Sequence, residues 1–182
     1  LRITWSMRGV FALLSLAAGF PCSAGESPAA GSLKEINPPI APLADRRIVI
    51  FGATLIDGRG GAPFSNTVVI VRAGRIASVG KGWTGSRDED FFDATGLTLL
   101  PGLMDSHFHI ERDYELPRLY LSHGVTSVRD PGQWLEVYEP IKNSTLPQPR
   151  CFVAGPHLDS QPHAYPQDAF EVTTDNETRA AV

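Results

Sequence analysis

Apolar and polar positions follow two different rhythms along this chain, and the change falls near residue 102. Before it, β-branched runs at residues 47–51, 67–72 and 75–79 are separated by turn-forming stretches, as short strands are. Ala73-Gly74 between the last two runs predicts a tight hairpin with Gly74 at positive φ. Residues 58–63 are a glycine-rich connection. No Gly-Lys-Ser/Thr ending or helical pattern follows it, so it is not a phosphate cradle. Residues 83–90 read as a polar turn whose Asp88-Glu89-Asp90 cluster faces solvent. Residues 93–100 read as a strand pair or one bent strand leading into Pro101-Gly102.

Beyond residue 102 strand and helix patterns alternate, which predicts a parallel sheet. Leu99, Leu100, Leu103 and Met104 form an apolar run broken by Pro-Gly, as a buried strand would. Residues 114–123 carry Leu116, Leu119 and Tyr120 at helical spacing, with Gly124 placed to end the helix. A strand at 125–129 stops at Asp130-Pro131-Gly132, and a second helix is expected over 134–141. A third strand at 150–154 ends at Gly155-Pro156, followed by a long polar loop over 155–166. Thr174-Asp-Asn-Glu177 is a capping-box pattern opening a further helix.

The amino end follows neither rhythm. Met7-Arg8 gives a positive start, residues 10–20 an apolar run of secretory length, and Cys22-Ser23-Ala24 a small-residue cleavage site. A signal peptide over 7–24 is expected, with export to the periplasm or the extracellular space. The run is short of the roughly 20 residues a membrane span needs, so no span remains after cleavage. Residues 25–45, rich in Pro, Ala, Gly and Ser, read as an extended linker, with order beginning near Arg46.

Composition narrows the picture. With 42% hydrophobic and 20% charged residues in 182, the chain is globular in character. A net charge of −4 leaves no basic footprint, so nucleic acid is not an expected partner. Cleavage after Ala24 leaves Cys151 without a disulfide partner in this sequence. Its apolar neighbours Phe152, Val153 and Ala154 place it in a core rather than at a nucleophilic centre.

Candidate chemistry concentrates at residues 103–110. In an extended segment side chains alternate faces, so His107 and His109 point one way and Phe108 the other. Two imidazoles so placed can lean onto one ion, metal–nitrogen bonds being about 2.0–2.1 Å. Asp105 shares their face two residues earlier and suits a supporting role toward an imidazole or the neighbouring backbone. His123 sits at a helix end, Asp130 caps the turn after its strand, and His157 and His163 lie in the polar loop. Of the loop pair, His163 is the better candidate for substrate contact.

The stretch Gly96-Leu-Thr-Leu-Leu-Pro-Gly-Leu-Met-Asp-Ser-His-Phe-His109 resembles the strand-one signature of the amidohydrolase superfamily. Gly52-Ala-Thr-Leu-Ile-Asp57-Gly58, residues 68–79 and Gly124-Val-Thr-Ser-Val-Arg-Asp130 resemble its imidazolonepropionase-like and prolidase-like branch. The resemblance implies an α/β fold: part of a β-sandwich at 46–101, then the first strands and helices of a (β/α)8 TIM barrel over 102–182. A complete barrel takes roughly 250 residues, so an amino-terminal fragment of a longer enzyme is expected. The resemblance also implies metal-assisted hydrolysis of a C–N bond in a small-molecule amide, cyclic amide or dipeptide. His107 and His109 then hold a divalent ion, usually zinc, as one ion or two. The remaining ligands (a lysine or glutamate and two histidines) and a proton-handling aspartate are expected beyond the chain end, leaving this piece inactive. A homo-oligomer is left open. The rival readings are a non-catalytic relative that keeps the fold, and a truncated product that does not fold.

Overall fold

The computed structural model describes residues 13–14, 33–38, 47–82 and 90–182. Contacts divide the chain into two units, Leu1–Gly19 with Ile40–Gly102 and Phe20–Pro39 with Leu103–Val182. The expected signal peptide over 7–24 lies outside the described residues except for Leu13 and Leu14, and so does the turn at 83–89. The first seven strands are β1 (Leu13–Leu14), β2 (Lys34–Glu35), β3 (Arg47–Leu55), β4 (Phe64–Arg72), β5 (Arg75–Lys81), β6 (Asp90–Asp93) and β7 (Thr98–Pro101). All but β2 form the sheet of the first unit, where β3 pairs antiparallel with β4 and β4 with β5. Ala73 and Gly74 both take positive φ, 49° and 71°, as a type I′ hairpin requires.

The stretch 93–100, read as a strand pair or one bent strand, holds only the last residue of β6, a turn, and most of β7. β6 begins at Asp90, at the end of the expected polar turn. β6 and β7 run parallel to β3 along successive parts of one edge. Gly52 makes the handover. Its φ is +84°, and a side chain there would collide with Thr95 of the intervening turn. The β3–β4 register shifts at this point, and Thr67 closes the gap by donating its hydroxyl to the Ala53 carbonyl at 2.9 Å. Ile50, Ala53, Val69, Val71, Ala94 and Leu99 form the unit's core.

The second unit comprises β2, β8 (Leu103–Asp105), β9 (Val125–Asp130), β10 (Arg150–Val153), β11 (His157–Asp159), β12 (Ala169–Glu171) and helices α1 (Leu116–Ser122), α2 (Glu139–Lys142) and α3 (Asp175–Ala181). Strands β8, β9 and β10 are parallel neighbours in chain order. The inner side of β9 and β10 buries Thr126, Val128, Asp130, Cys151 and Val153, an alternation set by the pleat. Phe108, Ile110, Tyr138 and Ile141 pack there, and Tyr120 meets the Phe108 ring edge-on at 5.0 Å. No helix among the described residues is long and apolar enough to cross a membrane.

Four expectations need correcting. Leu103 and Met104, read as part of a buried strand, are exposed in β8, which among the described residues has a neighbour on one side only. The helix expected over 134–141 is a 3₁₀ turn (Leu135–Tyr138) followed by the short α2. Pro140 has no N–H to give to the preceding turn, so a continuous α-helix cannot form; it sits instead in the first turn of α2. The loop over 155–166 is partly ordered, with β11 pairing in parallel with β12. The stretch read as a linker over 25–45 contains β2, which pairs antiparallel with β10. Ile36 behind it is buried, and Arg150 grips the Glu35 carboxylate with Nε and a terminal nitrogen, at 2.7 and 3.0 Å. The expected capping box is present, with Thr174 and Glu177 satisfying each other's backbone N–H groups at the start of α3.

Candidate metal centre

β8 ends at Asp105, and the two histidines follow just past its carboxyl end, His107 in a bend with Ser106 and His109 in the irregular stretch after it. Phe108 and Ile110 turn into the core, at 2% and 0% exposure. The intervening side chains are thereby forced to the other side, and the two Nε2 atoms of His107 and His109 face each other at 3.2 Å. The rings meet edge-to-face with centroids 5.1 Å apart. His107 is exposed and the His109 side chain 39% so, leaving the pair open to solvent.

Three contacts fix the backbone under the pair. The Phe108 N–H donates to the Arg129 carbonyl at 2.8 Å, extending the β8–β9 pairing past the end of β8. Arg129 donates to the Ser106 carbonyl at 3.3 Å. Asp105 Oδ1 accepts the backbone N–H of His107 at 3.0 Å, so its contact is with the backbone and not with a ring. On leaving the site the chain takes two consecutive left-handed residues, Glu111 and Arg112, at φ 45° and 61°. Neither is glycine, and such residues cost roughly 1–2 kcal/mol each.

The carboxylate that touches an imidazole is Asp130, the last residue of β9. Its Oδ1 lies 3.3 Å from His109 Nδ1 and accepts the Gly132 N–H at 3.1 Å. Its Oδ2 accepts the Tyr138 hydroxyl at 2.8 Å and the Ile110 N–H at 3.4 Å. The group is wholly buried, so these partners replace the water it has lost. Burial first, and then the charge of Asp130, raise the Tyr138 hydroxyl above its ordinary value, so it stays a donor. Burial and the same charge push the Cys151 thiol up to about 12, in keeping with a packing role. The turn-capping role expected for Asp130 is present in its Gly132 bond; its contact with His109 is the part that sequence reasoning missed.

The other histidines have different surroundings. His123 Nδ1 lies 2.9 Å from the Leu119 carbonyl at the end of α1. The His157 ring stacks on Tyr165 with centroids 5.8 Å apart. His163, expected to meet substrate, lies in the loop between β11 and β12, its Nε2 3.5 Å from Glu171 Oε2. The structure thus brings together His107, His109 and Asp130, with Asp105 bound to the backbone beneath them.

The pair can be tested against an ion by its own geometry. Two nitrogens bound to one tetrahedral cation at about 2.0–2.1 Å stand roughly 3.3 Å apart. The observed 3.2 Å matches that spacing. A neutral His109 with its proton on Nδ1, toward Asp130, leaves the Nε2 lone pair free for a cation. The residues fit as two ligands of a site. Among the described residues no group of three or more His, Cys, Asp or Glu side chains is placed to hold an ion, so the pair is not a full set.

Such an arrangement defines a mixed α/β protein with a histidine pair at the carboxyl end of a parallel strand. No protein-family model matches the chain. It is 34% identical over 120 residues to N-acyl-D-aspartate deacylase of Alcaligenes xylosoxydans xylosoxydans, the match covering 63% of this chain and 23% of the deacylase. It is 33% identical over 76 residues to an adenine deaminase of Clostridium perfringens, covering 38% and 13%. Among solved structures, molinate hydrolase aligns with a TM-score of 0.51 at 29% identity, over 63% of this chain and 31% of that one. A Xaa-Pro dipeptidase aligns with a TM-score of 0.53 at 26% identity, over 74% and 43%. These relatives, a deacylase, a deaminase, a hydrolase and a dipeptidase, are hydrolases acting on carbon–nitrogen bonds and point to the amidohydrolase superfamily. It spans less than a quarter of the length of the curated relatives it matches.

Proposed function

We propose that this chain contributes the opening part of an exported, metal-dependent hydrolase that cleaves a C–N bond in a small amide, cyclic amide or dipeptide. The observation that carries this is the 3.2 Å approach of His107 Nε2 to His109 Nε2. In this reading β8, β9 and β10 are the first three strands of a (β/α)8 barrel. Residues 46–101 are part of a β-sandwich, and 7–24 and 25–45 are signal peptide and linker, the linker now including β2. The pair then lies on the face where such barrels carry their chemistry. The likeness to a deacylase, a deaminase and a dipeptidase supports C–N bond cleavage.

His107 and His109 hold a divalent cation, zinc by the preference of imidazole ligands, as one ion or as part of a two-ion site. When bound, the cation supplies Lewis acidity toward a carbonyl and a source of hydroxide near neutral pH. The chain's own residues set the ligand geometry. Asp130 keeps the His109 proton on Nδ1, and Asp105 and Arg129 hold the backbone on which both rings ride.

Metal analysis and amide hydrolysis by the full-length gene product test the reading, with His107→Ala and His109→Ala made separately. Each variant is expected to lose bound metal and to fall in kcat/KM by roughly a hundredfold or more, because several kcal/mol of charge stabilisation is withdrawn. Metal content and activity unchanged in both variants would remove the assignment.

A further inference from the structure

Tyr138 is placed with more care than a core tyrosine needs. Its ring is fully buried among Phe108, Ile141 and Cys151, on the 3₁₀ turn Leu135–Tyr138, so packing fixes where the hydroxyl points. Among the described residues the hydroxyl makes the shortest of the four contacts to the Asp130 carboxylate, and on Oδ2 its only companion is the Ile110 N–H at 3.4 Å. The opposite oxygen is the one facing His109. A carboxylate anchored firmly at one oxygen presents the other at a fixed distance and angle. One anchored loosely can swing about its Cβ–Cγ bond and give the imidazole a choice of tautomers.

We infer that Tyr138 is a positioning residue for the histidine pair, acting through Asp130 to fix the ring orientation and tautomer of His109. The inference rests on the reading of the pair as metal ligands. Tyr138 touches neither the ion nor substrate in this account. It keeps the His109 proton on Nδ1, so that Nε2 presents a lone pair beside that of His107. The competing account is that Tyr138 only satisfies a buried carboxylate and so stabilises the fold.

The test is made on the full-length protein with Tyr138→Phe, which keeps the ring and removes the hydroxyl. Zinc affinity, measured by competition with a chelator, is expected to fall about 10- to 100-fold, the usual consequence of removing a supporting partner of a ligand. The ¹⁵N signals of His109 in the metal-free protein are expected to move from a clean Nδ1–H tautomer in the wild type to a mixture in the variant. A lower melting temperature with zinc affinity and the His109 signals unchanged would overturn the inference and leave Tyr138 a purely structural residue. Asp130→Asn and the Tyr138→Phe/Asp130→Asn double variant complete a cycle. The double variant strands no carboxylate, so it keeps the test available if the single tyrosine variant does not fold. Equal zinc affinity in Asp130→Asn and the double variant supports action through Asp130; a further fall in the double variant overturns it. If wild-type protein binds no zinc at the pair, the metal reading fails, and the tautomer signals still decide for or against Tyr138.

Discussion

His109 is governed by residues on the far side of its ring. Asp130 is held by Gly132 and Tyr138, and Gly132 is itself a crowded position. A Cβ at 132 would overlap the imidazole of His157, which lies directly against the glycine. Gly132→Ala is therefore expected to expel His157 from its stack on Tyr165 and to strain the Gly132 N–H bond to Asp130. A cost of about 1–3 kcal/mol follows from forcing bulk into a filled site. Urea unfolding gives the cost, and the NMR shifts of the His157 ring report the displacement. Unchanged stability together with an unmoved ring would show that the loop yields freely. The histidine pair was legible in the sequence because two-residue alternation is a local property of extended chain. Asp130 was legible only as a turn cap, since its link to His109 depends on the pairing of β8 and β9, whose partners lie more than 20 residues apart in the sequence. A hint was present all the same: Thr126, Val128 and Asp130 share one face of a strand, and a carboxylate continuing a buried face needs partners.

At the scale of elements, the division between what was read and what was missed follows sequence distance. The Ala73-Gly74 hairpin, the Gly124 helix stop at φ +92° and the Thr174–Glu177 capping box depend on neighbours within a few residues, and all were legible. Strand β2 depends on a partner 115 residues away, and nothing in a Pro- and Ala-rich stretch announces it. What holds it is chemical. Glu35 meets Arg150 in a two-pronged pair, and the Asn37 side chain takes the Cys151 N–H at 2.8 Å while donating to the Pro149 carbonyl at 2.9 Å. The Glu35 and Arg150 side chains are 24% and 30% exposed, so the pair is screened less than a surface bridge. Glu35→Ala is expected to lower the stability of the second unit by about 1–2 kcal/mol and to speed amide exchange at Ile36, whose N–H bonds the Cys151 carbonyl. Exchange at Ile36 as slow as in the wild type would mean that β2 stays in place without its carboxylate.

For the molecule as a whole, the feature that bears on its association is the outer strand of the second unit. Among the described residues the sheet runs β2-β10-β9-β8, so β8 pairs on one side with β9 and ends the sheet on the other. Its apolar side chains are not covered: Leu103 is 53% exposed and Met104 80%. Sequence patterning placed both in a buried strand, a reading that fits a sheet with a further neighbour and not the strand as it stands in these 182 residues. An edge strand with bare apolar side chains and free backbone groups pairs readily with another copy. The 182-residue chain expressed alone is therefore expected to self-associate at micromolar concentration, with sedimentation velocity showing species heavier than 19.7 kDa. Met104→Lys should weaken that association roughly tenfold, since burying one methionine side chain contributes about 1.5–3 kcal/mol and a charge on an edge opposes pairing. A monomer at every concentration, or association indifferent to the lysine, would locate the adhesive surface elsewhere, with the uncovered Ile76 and Val79 of β5 the next place to substitute.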